Sequence, residues 1–472
     1  MNRWDEILLT GFEYFGKIIF YYMMAILAFY TFLLVISLIQ LRRRYRLDDS
    51  ELHDDLLDVS YIKPISILVP AYNEEKGIYG SVRSLLSIEY PSYEVIVVND
   101  GSTDNTLQML IDRFEMVEVQ RTVRRVLDTE PVRAVYRSKL YDHLYAIDKV
   151  NGGKADALNV GINYSSYPYF CSLDGDSVLE RNAFAKVMKP ILDSDDNVIA
   201  SGGSIRIANG CKIESGEVME IGLSGNSLVA MQEIEYLRAF LMGRIGLSRH
   251  NLLLIISGAF GVFQKYWVVE AGGYKRNTVG EDMELVVRLH RMCKERKLDK
   301  KIVYIPEPVC WTEAPESVKY LRRQRNRWHR GLFESLWSHK RMLGNPKYGL
   351  VGLVSMPYFL FIELLGPLVE LSAYFVLIVS LLLGNVYTEF ALLLFITSVV
   401  YGSLFSAGAV LLEEWSLRKY PRVLDIVRLF LLGLTESLWY RPLTVFWRCE
   451  GLIQQAIGKR TWGDMKRKGI SA

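Results

Sequence analysis

Residues 18–40 form an almost unbroken apolar run, long enough as a helix to cross the hydrocarbon core of a bilayer. Nothing else in the chain restricts its fold as much, because a segment in lipid must satisfy its backbone polar groups internally. The run is too long for a signal peptide and no small-residue cleavage site follows it. Arg42, Arg43, Arg44 and Arg46 come directly after it, which puts the next segment in the cytoplasm. Two further spans are expected at 367–383 and 390–412. The link 384–389 has no basic residue and 413–421 has Arg418 and Lys419, so the pair reads as outward, then inward. Residues 350–365 meet Pro367 without a polar loop, as half of a long kinked helix or an interfacial element would. Residues 429–447 contain Glu436 and Arg441, costly at a bilayer centre, and are expected to be interfacial or re-entrant. Residues 331–342 alternate apolar and charged side chains like an amphipathic surface helix, and the basic tail 459–468 is expected in the cytoplasm.

The remaining composition fits a large domain and a smaller one. Of 472 residues half are apolar, and the net charge is only +3, with basic residues gathered beside apolar runs. That balance argues against nucleic acid as a partner. Five cysteines (Cys171, Cys211, Cys293, Cys310 and Cys449) show neither paired nor metal-binding spacing, which suits a reducing compartment.

Between the first span and residue 330 the pattern alternates strand and helix. Residues 64–70 read as a short buried strand, followed by the polar loop at Tyr72, Asn73 and Glu74 and a helix through Val82, Leu85 and Leu86. Residues 94–98 make a second strand, ending at Asn99 and Asp100, with Thr103 or Asp104 as the expected cap of the next helix. This order implies right-handed crossovers and a parallel sheet, with ligands at the carboxyl ends of strands. Residues 114–150 and 204–256 have no clear place in the pattern.

Asn151-Gly152-Gly153-Lys154 brings backbone amides and a point charge close to a phosphate, although it lacks Walker A spacing. A strand at 169–173 ends in Asp174-Gly175-Asp176, hard oxygen ligands for Mg2+ or Mn2+, or else two aspartates capping the next helix. Residues 257–261 are a small-residue loop. Gly280-Glu281-Asp282 opens an amphipathic helix, where Asp282 is either a cap or a base for a hydroxyl. Gln324-Arg325-Asn326-Arg327-Trp328 lies in a run that also holds Arg322, Arg323 and Arg330. Guanidinium forks and a flat indole suit a pyrophosphate and a sugar ring, but equally a basic helix anchored at the headgroups.

In series, Asp100, Lys154, Asp174-Gly175-Asp176, the 257–261 loop, Gly280-Glu281-Asp282 and Gln324-x-x-Arg327-Trp328, followed by apolar helices, resemble the processive family 2 glycosyltransferases. These are the cellulose, chitin, hyaluronan and bacterial poly-N-acetylglucosamine synthases. The resemblance implies an α/β GT-A, Rossmann-like cytoplasmic domain over 48–330. It would follow an N-terminal membrane helix and basic flank (1–47) and precede an interfacial helix (331–349), membrane or interfacial helices (350–458) and a cytoplasmic tail (459–472). It implies a multi-pass protein of the inner or plasma membrane that uses a UDP-sugar, a growing polysaccharide and Mg2+ or Mn2+, with an accessory subunit left open.

By the same resemblance Pro70, Tyr72, Glu74 and Asp100 would hold uracil and ribose, with Lys154 and Asp156 supporting the nucleotide. Asp174 and Asp176 would carry the metal. Asp282, with Glu281 beside it, would be the base of an inverting displacement. Gly258, Ala259 and Phe260 would face the acceptor. Gln324, Arg327 and Trp328 would close on the diphosphate and stack under the acceptor sugar, with Arg325 and Arg330 adding charge as UDP leaves. Asn99 departs from the aspartate common at that place. A non-processive transferase and an inactive membrane scaffold are the competing readings; the intact Asp174, Asp176, Asp282 and Trp328 argue against the second.

Overall fold

The computed structural model describes residues 3–48, 62–175, 177–214, 217–382, 395–416 and 420–458. Helix α1 (Arg3–Asp48) comes first, and its stretch Tyr14–Arg42 is long and apolar enough to cross a membrane. The sheet then begins with β1 (Ile65–Ala71), α2 (Ile78–Leu86), β2 (Tyr93–Asn99) and α3 (Thr106–Arg113). Asn105, one residue beyond the expected cap, precedes α3, while Asp104 Oδ1 accepts from the Thr106 amide at 3.0 Å. The segment 114–150, illegible by pattern, supplies β3 (Met116–Glu118), β4 (Val132–Ser138) and β5 (Leu144–Lys149). Next come α4 (Lys154–Tyr164), β6 (Tyr169–Leu173), β7 (Val178–Leu179), α5 (Ala183–Leu192) and β8 (Val198–Ile207).

Ten strands form one sheet in the order β3-β4-β5-β2-β1-β6, then β11 (Phe260–Gln264), β8, β12 (Lys301–Thr312) and β7. The expected parallel sheet exists at its centre, where β5, β2, β1 and β6 run the same way. The whole is mixed, because β11 lies antiparallel to both β6 and β8. Central strands are buried on both faces, so β1 and β2 read as continuous runs of Val, Ile and Leu rather than alternating ones. Their carboxyl ends therefore carry the polar loops to one edge of the sheet.

The second unplaced segment, 204–256, holds the hairpin β9 (Lys212–Glu214) and β10 (Glu217–Glu220), then α6 (Ser227–Leu237), a π-helical turn Arg238–Arg244 and α7 (Ile245–Ser248). These elements join the sheet to the apolar helices: Ser37 Oγ of α1 donates to the Met242 carbonyl at 2.9 Å, and Leu33 of α1 is buried. After α8 (Lys265–Glu270), α9 (Glu281–Glu295) and β12, helix α10 (Val318–Ser338) runs unbroken past residue 331, where a separate surface helix was expected to begin.

Residues 350–365 adopt the kinked-helix alternative. Two π-helical stretches, Val351–Ser355 and Tyr358–Leu364, lead into α11 (Gly366–Leu382), and Val351–Val379 is long and apolar enough to cross a membrane. The link 384–389 is outside the described residues, as are Arg418, Lys419 and the basic tail. The span expected at 390–412 is described from a π-helical turn Phe395–Val400 into α12 (Tyr401–Ser416).

The segment 429–447 has no re-entrant turn. It belongs to α13 (Val423–Ala456), one continuous helix of 34 residues with Pro442 inside it, packed on α10, α11 and α12. Its charges are matched within the protein. Glu436 accepts from Arg238 Nη1 at 3.0 Å and from Ser406, and Arg441 grips Glu370 with two guanidinium nitrogens at 2.9 and 3.0 Å. Pairing of this kind removes the isolated-charge cost that argued against a buried helix. A similar cluster, Arg206 with Glu233 and Glu413, ties β8 and α6 to α12, and all five cysteines are free thiols.

Candidate active site

At the carboxyl edge of β6 the chain turns into a cavity of about 980 Å³. Its walls bring together Lys154, Asp174, Gly258, Glu281, Asp282, Gln324, Arg327 and Trp328, which lie as much as 174 positions apart in the chain. Lys154 opens α4, and its Nζ reaches across to Asp174 Oδ1 at 2.5 Å, the Gly258 carbonyl at 3.1 Å and Glu281 Oε1 at 3.7 Å. Burial works against the ammonium, but Asp174, Glu281 and Asp282 outweigh it and raise its pKa. Burial also raises the pKa of Glu281, with Asp282 adding to it and Lys154 opposing it. Asp282 is less buried than Glu281; its Oδ1 accepts from the Met283 amide at 2.8 Å and the group faces the cavity. A Cβ on Gly258 would stand 3.0 Å from Asp282 Oδ2 and 3.4 Å from Lys154 Nζ, so a side chain there would invade the space between base and cation.

Helix α10 reaches this place through a glycine contact. A Cβ on Gly280 would sit 2.8 Å from the Gly331 Cα, and one on Gly331 would sit 2.9 Å from the Gly280 Cα. Backbone therefore packs on backbone, and the helix carrying Gln324, Arg327 and Trp328 closes over the loop carrying Glu281 and Asp282. Glu334 Oε2 fastens the same crossing by accepting from Thr278 Oγ1 at 2.8 Å and the Val279 amide at 3.0 Å.

Glu284, one turn into α9, adds a buried electrostatic clamp, accepting from His339 at 3.0 Å, Lys275 at 2.9 Å and Arg288 at 2.8 Å. Burial pushes its carboxyl up, yet these three donors outweigh it and hold the pKa at about 2, below the ordinary 4.5. A depressed carboxyl stabilises the fold above its unfolded pKa, and that contribution fades as pH falls from about 4.5 toward 2, at most about 3 kcal/mol. Glu284→Gln is thus expected to lower the thermal unfolding midpoint at pH 7, with the gap from wild type shrinking as pH falls below about 4.5. An unchanged midpoint at pH 7 would remove the clamp.

Of the other expected site residues, Gly258, Ala259 and Arg325 are on the cavity walls, whereas Pro70, Tyr72, Glu74, Asp100, Asp156 and Phe260 lie beside it. Asp100 is buried and accepts from Lys149, from the Gly152 amide at 2.9 Å and from the Gly153 amide at 2.7 Å. Asp156 is fully buried against Lys149 at 2.7 Å and Arg276 at 3.3 Å. Both shape the glycine turn ahead of Lys154. Tyr72 is exposed, and the loop of Pro70 and Glu74 flanks Gly175, whose Cβ would lie 3.5 Å from the Pro70 carbonyl. Gly258 and Ala259 line the cavity, whereas Phe260 is buried in the sheet beside Phe184. Arg325 is buried and salt-bridged to Glu235 at 2.6 Å, its guanidinium 4.4 Å from the Trp328 ring centroid.

Asp176 lies outside the described residues. The described ones contain no cluster of three metal-binding side chains. Asp174 nonetheless offers a cavity-facing carboxylate at a strand end, a hard donor that fits Mg2+ or Mn2+.

Sequence reasoning missed Glu235, Tyr236, Phe240 and Arg244, which build one wall of the cavity, and Phe359 and Arg448, which extend it among the apolar helices beside Glu363, an ionisable residue expected from the sequence to line such a route. The available signal was charge inside an otherwise apolar helical stretch, 228–247.

The glycosyltransferase-like family 2 profile matches residues 63–331, more than half of the chain. This chain is a family 2 glycosyltransferase. A chitin synthase profile also matches, over residues 267–467. The poly-beta-1,6-N-acetyl-D-glucosamine synthase of Staphylococcus epidermidis is 31% identical over 277 residues, which are 58% of this chain and 56% of the relative. The enzyme of that name from Staphylococcus aureus is 29% identical over 283 residues, 59% of this chain and 57% of that one. The match thus spans little more than half the length of these relatives. Among solved structures, the mannosyltransferase PcManGT from Pyrobaculum calidifontis, in complex with GDP-Man and Mn2+, superposes with a TM-score of 0.54 at 16% identity. It covers 94% of this chain and all of that one, a likeness of fold: the mixed-sheet, Rossmann-like GT-A arrangement.

Proposed function

We propose that this glycosyltransferase is a multi-pass membrane enzyme, its catalytic domain in the cytoplasm, that polymerises sugar from a UDP-sugar into a β-linked polysaccharide and passes the product outward. One observation carries the reading: a single cavity runs from Lys154 and Asp174 past Asp282 and Trp328 to Phe359, Glu363 and Arg448 among the apolar helices. A decorating enzyme has no need of that continuation. The relatives' shared name supports an N-acetylglucosamine polymer, and the resemblance supports a UDP donor.

Each residue has chemical work in this reaction. Lys154, Gln324 and Arg327 would hold the donor diphosphate, since cations and amide donors match phosphate oxygens. Asp174, with Asp176, would hold the divalent metal, which when bound neutralises charge on the diphosphate. Asp282 would take the proton from the acceptor hydroxyl as that oxygen bonds to the anomeric carbon. The carbon–oxygen bond to the diphosphate breaks, its electron pair leaves with UDP, and the anomeric centre inverts. Trp328 would lie under the terminal acceptor sugar, whose C–H face is the part most cheaply desolvated.

The test is product analysis with the full-length purified chain, a panel of labelled UDP-sugars, and Mg2+ or Mn2+. High-molecular-weight product from one donor is expected, and chelation by EDTA is expected to abolish it. Single-sugar transfer would leave only the non-processive alternative, and full activity in chelator would remove the metal assignment.

A further inference from the structure

Arg244 closes the π-helical turn Arg238–Arg244 and lines the same cavity. Its guanidinium lies 4.3 Å from the centroid of Phe240 and 5.8 Å from that of Tyr304, and these two rings stack at 6.2 Å. Yet its Nη1 is buried with no hydrogen-bond partner among the described residues. Aromatic faces offset part of the desolvation of a cation, but they do not satisfy an N–H donor. A donor left in this condition beside a substrate cavity calls for an acceptor oxygen carried by the ligand. π-Helical turns also concentrate at functional sites, where the extra residue redirects a side chain.

The position of Arg244 decides which ligand atom that is. Asp174, Glu281 and Asp282 all act on Lys154, and of these three Asp282 is the carboxylate that also acts on Arg244. Arg244 therefore stands on the base side of the cavity. It shares that side with Tyr236, whose ring is 6.5 Å from that of Trp328. Ile205, Ala239 and Ile255 make the surrounding wall apolar. A cation with a free N–H beside an apolar wall accepts a neutral carbonyl with a methyl group and repels an ammonium.

Resting on the polymerase reading above, we infer that Arg244 and Phe240 form an acceptor subsite for an N-acylated amino sugar, with Arg244 donating to the acyl oxygen of the residue held near Asp282. The subsite makes Arg244 a specificity residue: it favours an acylated chain end over one carrying a free amine.

The inference is tested on the full-length enzyme with saturating donor, using N-acetylglucosamine oligosaccharides and their de-N-acetylated counterparts as acceptors. Wild type should elongate the acetylated acceptor preferentially. Arg244→Met should raise its KM about tenfold or more, as loss of a charged hydrogen bond would, and abolish the preference. Arg244→Lys should restore part of the preference, and the Kd for UDP should stay within about twofold in both variants. Wild-type KM and preference in Arg244→Met would overturn the subsite, as would a parallel loss of UDP affinity, which would assign Arg244 to the diphosphate. If Arg244→Met fails to fold, by its melting profile, the Arg244→Lys preference decides, and an unchanged preference there overturns the subsite. A wild-type chain that uses no UDP-sugar overturns the polymerase reading itself, and the subsite with it.

Discussion

Asp282→Asn is expected to bind UDP as tightly as wild type and to turn over roughly two to four orders of magnitude more slowly. The substitution keeps the shape of the side chain and the acceptor that meets the Met283 amide at 2.8 Å, so the start of α9 should survive. What it removes is the capacity to accept a proton at the oxygen facing Gly258. Lys154 lies on the other side of that glycine, engaged with Asp174 and Glu281, and cannot act as a base while these carboxylates hold it charged. Glu281 is a poor substitute, since it is buried behind Asp282 and already linked to Lys154. The measurement is single-turnover rate alongside the Kd for UDP. Parallel losses in both would move Asp282 from base to donor binding or to a structural cap.

Trp328→Ala is expected to abolish polymer while leaving measurable UDP binding. The indole is 42% exposed even with Arg325 against its ring and Tyr236 beside it, so a flat apolar surface remains available on the cavity. A sugar needs such a face, and nothing in an alanine replaces it. Gln324→Ala and Arg327→Ala should behave differently, losing transfer together with much of the UDP affinity. Gln324 and Arg327 line the same cavity as Lys154 and Asp174, and the Gln324 amide nitrogen, like the Arg327 guanidinium, is a donor for phosphate oxygens. Polymer length distribution and UDP titration separate the two behaviours. Wild-type polymer from Trp328→Ala would leave that residue as a headgroup anchor only.

Much of this site could be read before the chain was folded, because its chemistry is written in short local patterns. A short apolar run that ends in a polar turn predicts both a buried strand and a ligand edge, as with the Val and Ile of 94–100 and with Tyr169–Leu173 ahead of Asp174. The spans at 18–40 and 367–383 were equally local, since length and apolar content alone decide whether a helix suits lipid. Segment 114–150 was not legible, for the reason that β3 and β4 are half-exposed and charged, and only the pairing of β3 with β4 and of β4 with β5 makes them strands.

From the sequence alone came the central strands, the apolar helices and the order of the polar loops, each fixed by residues within a few positions of one another. Tertiary structure alone decided how the charges are spent. Arg238 meets Glu436 across 198 positions, and Arg441 meets Glu370 across 71, so a helix that looked too polar for a buried place is at home in one. The same holds for the wall of Tyr236, Phe240 and Arg244, whose helical stretch gives no sign of which cavity it will face. Local pattern reports what a residue prefers. Which partner satisfies that preference depends on distance in space, and only the folded chain sets that distance.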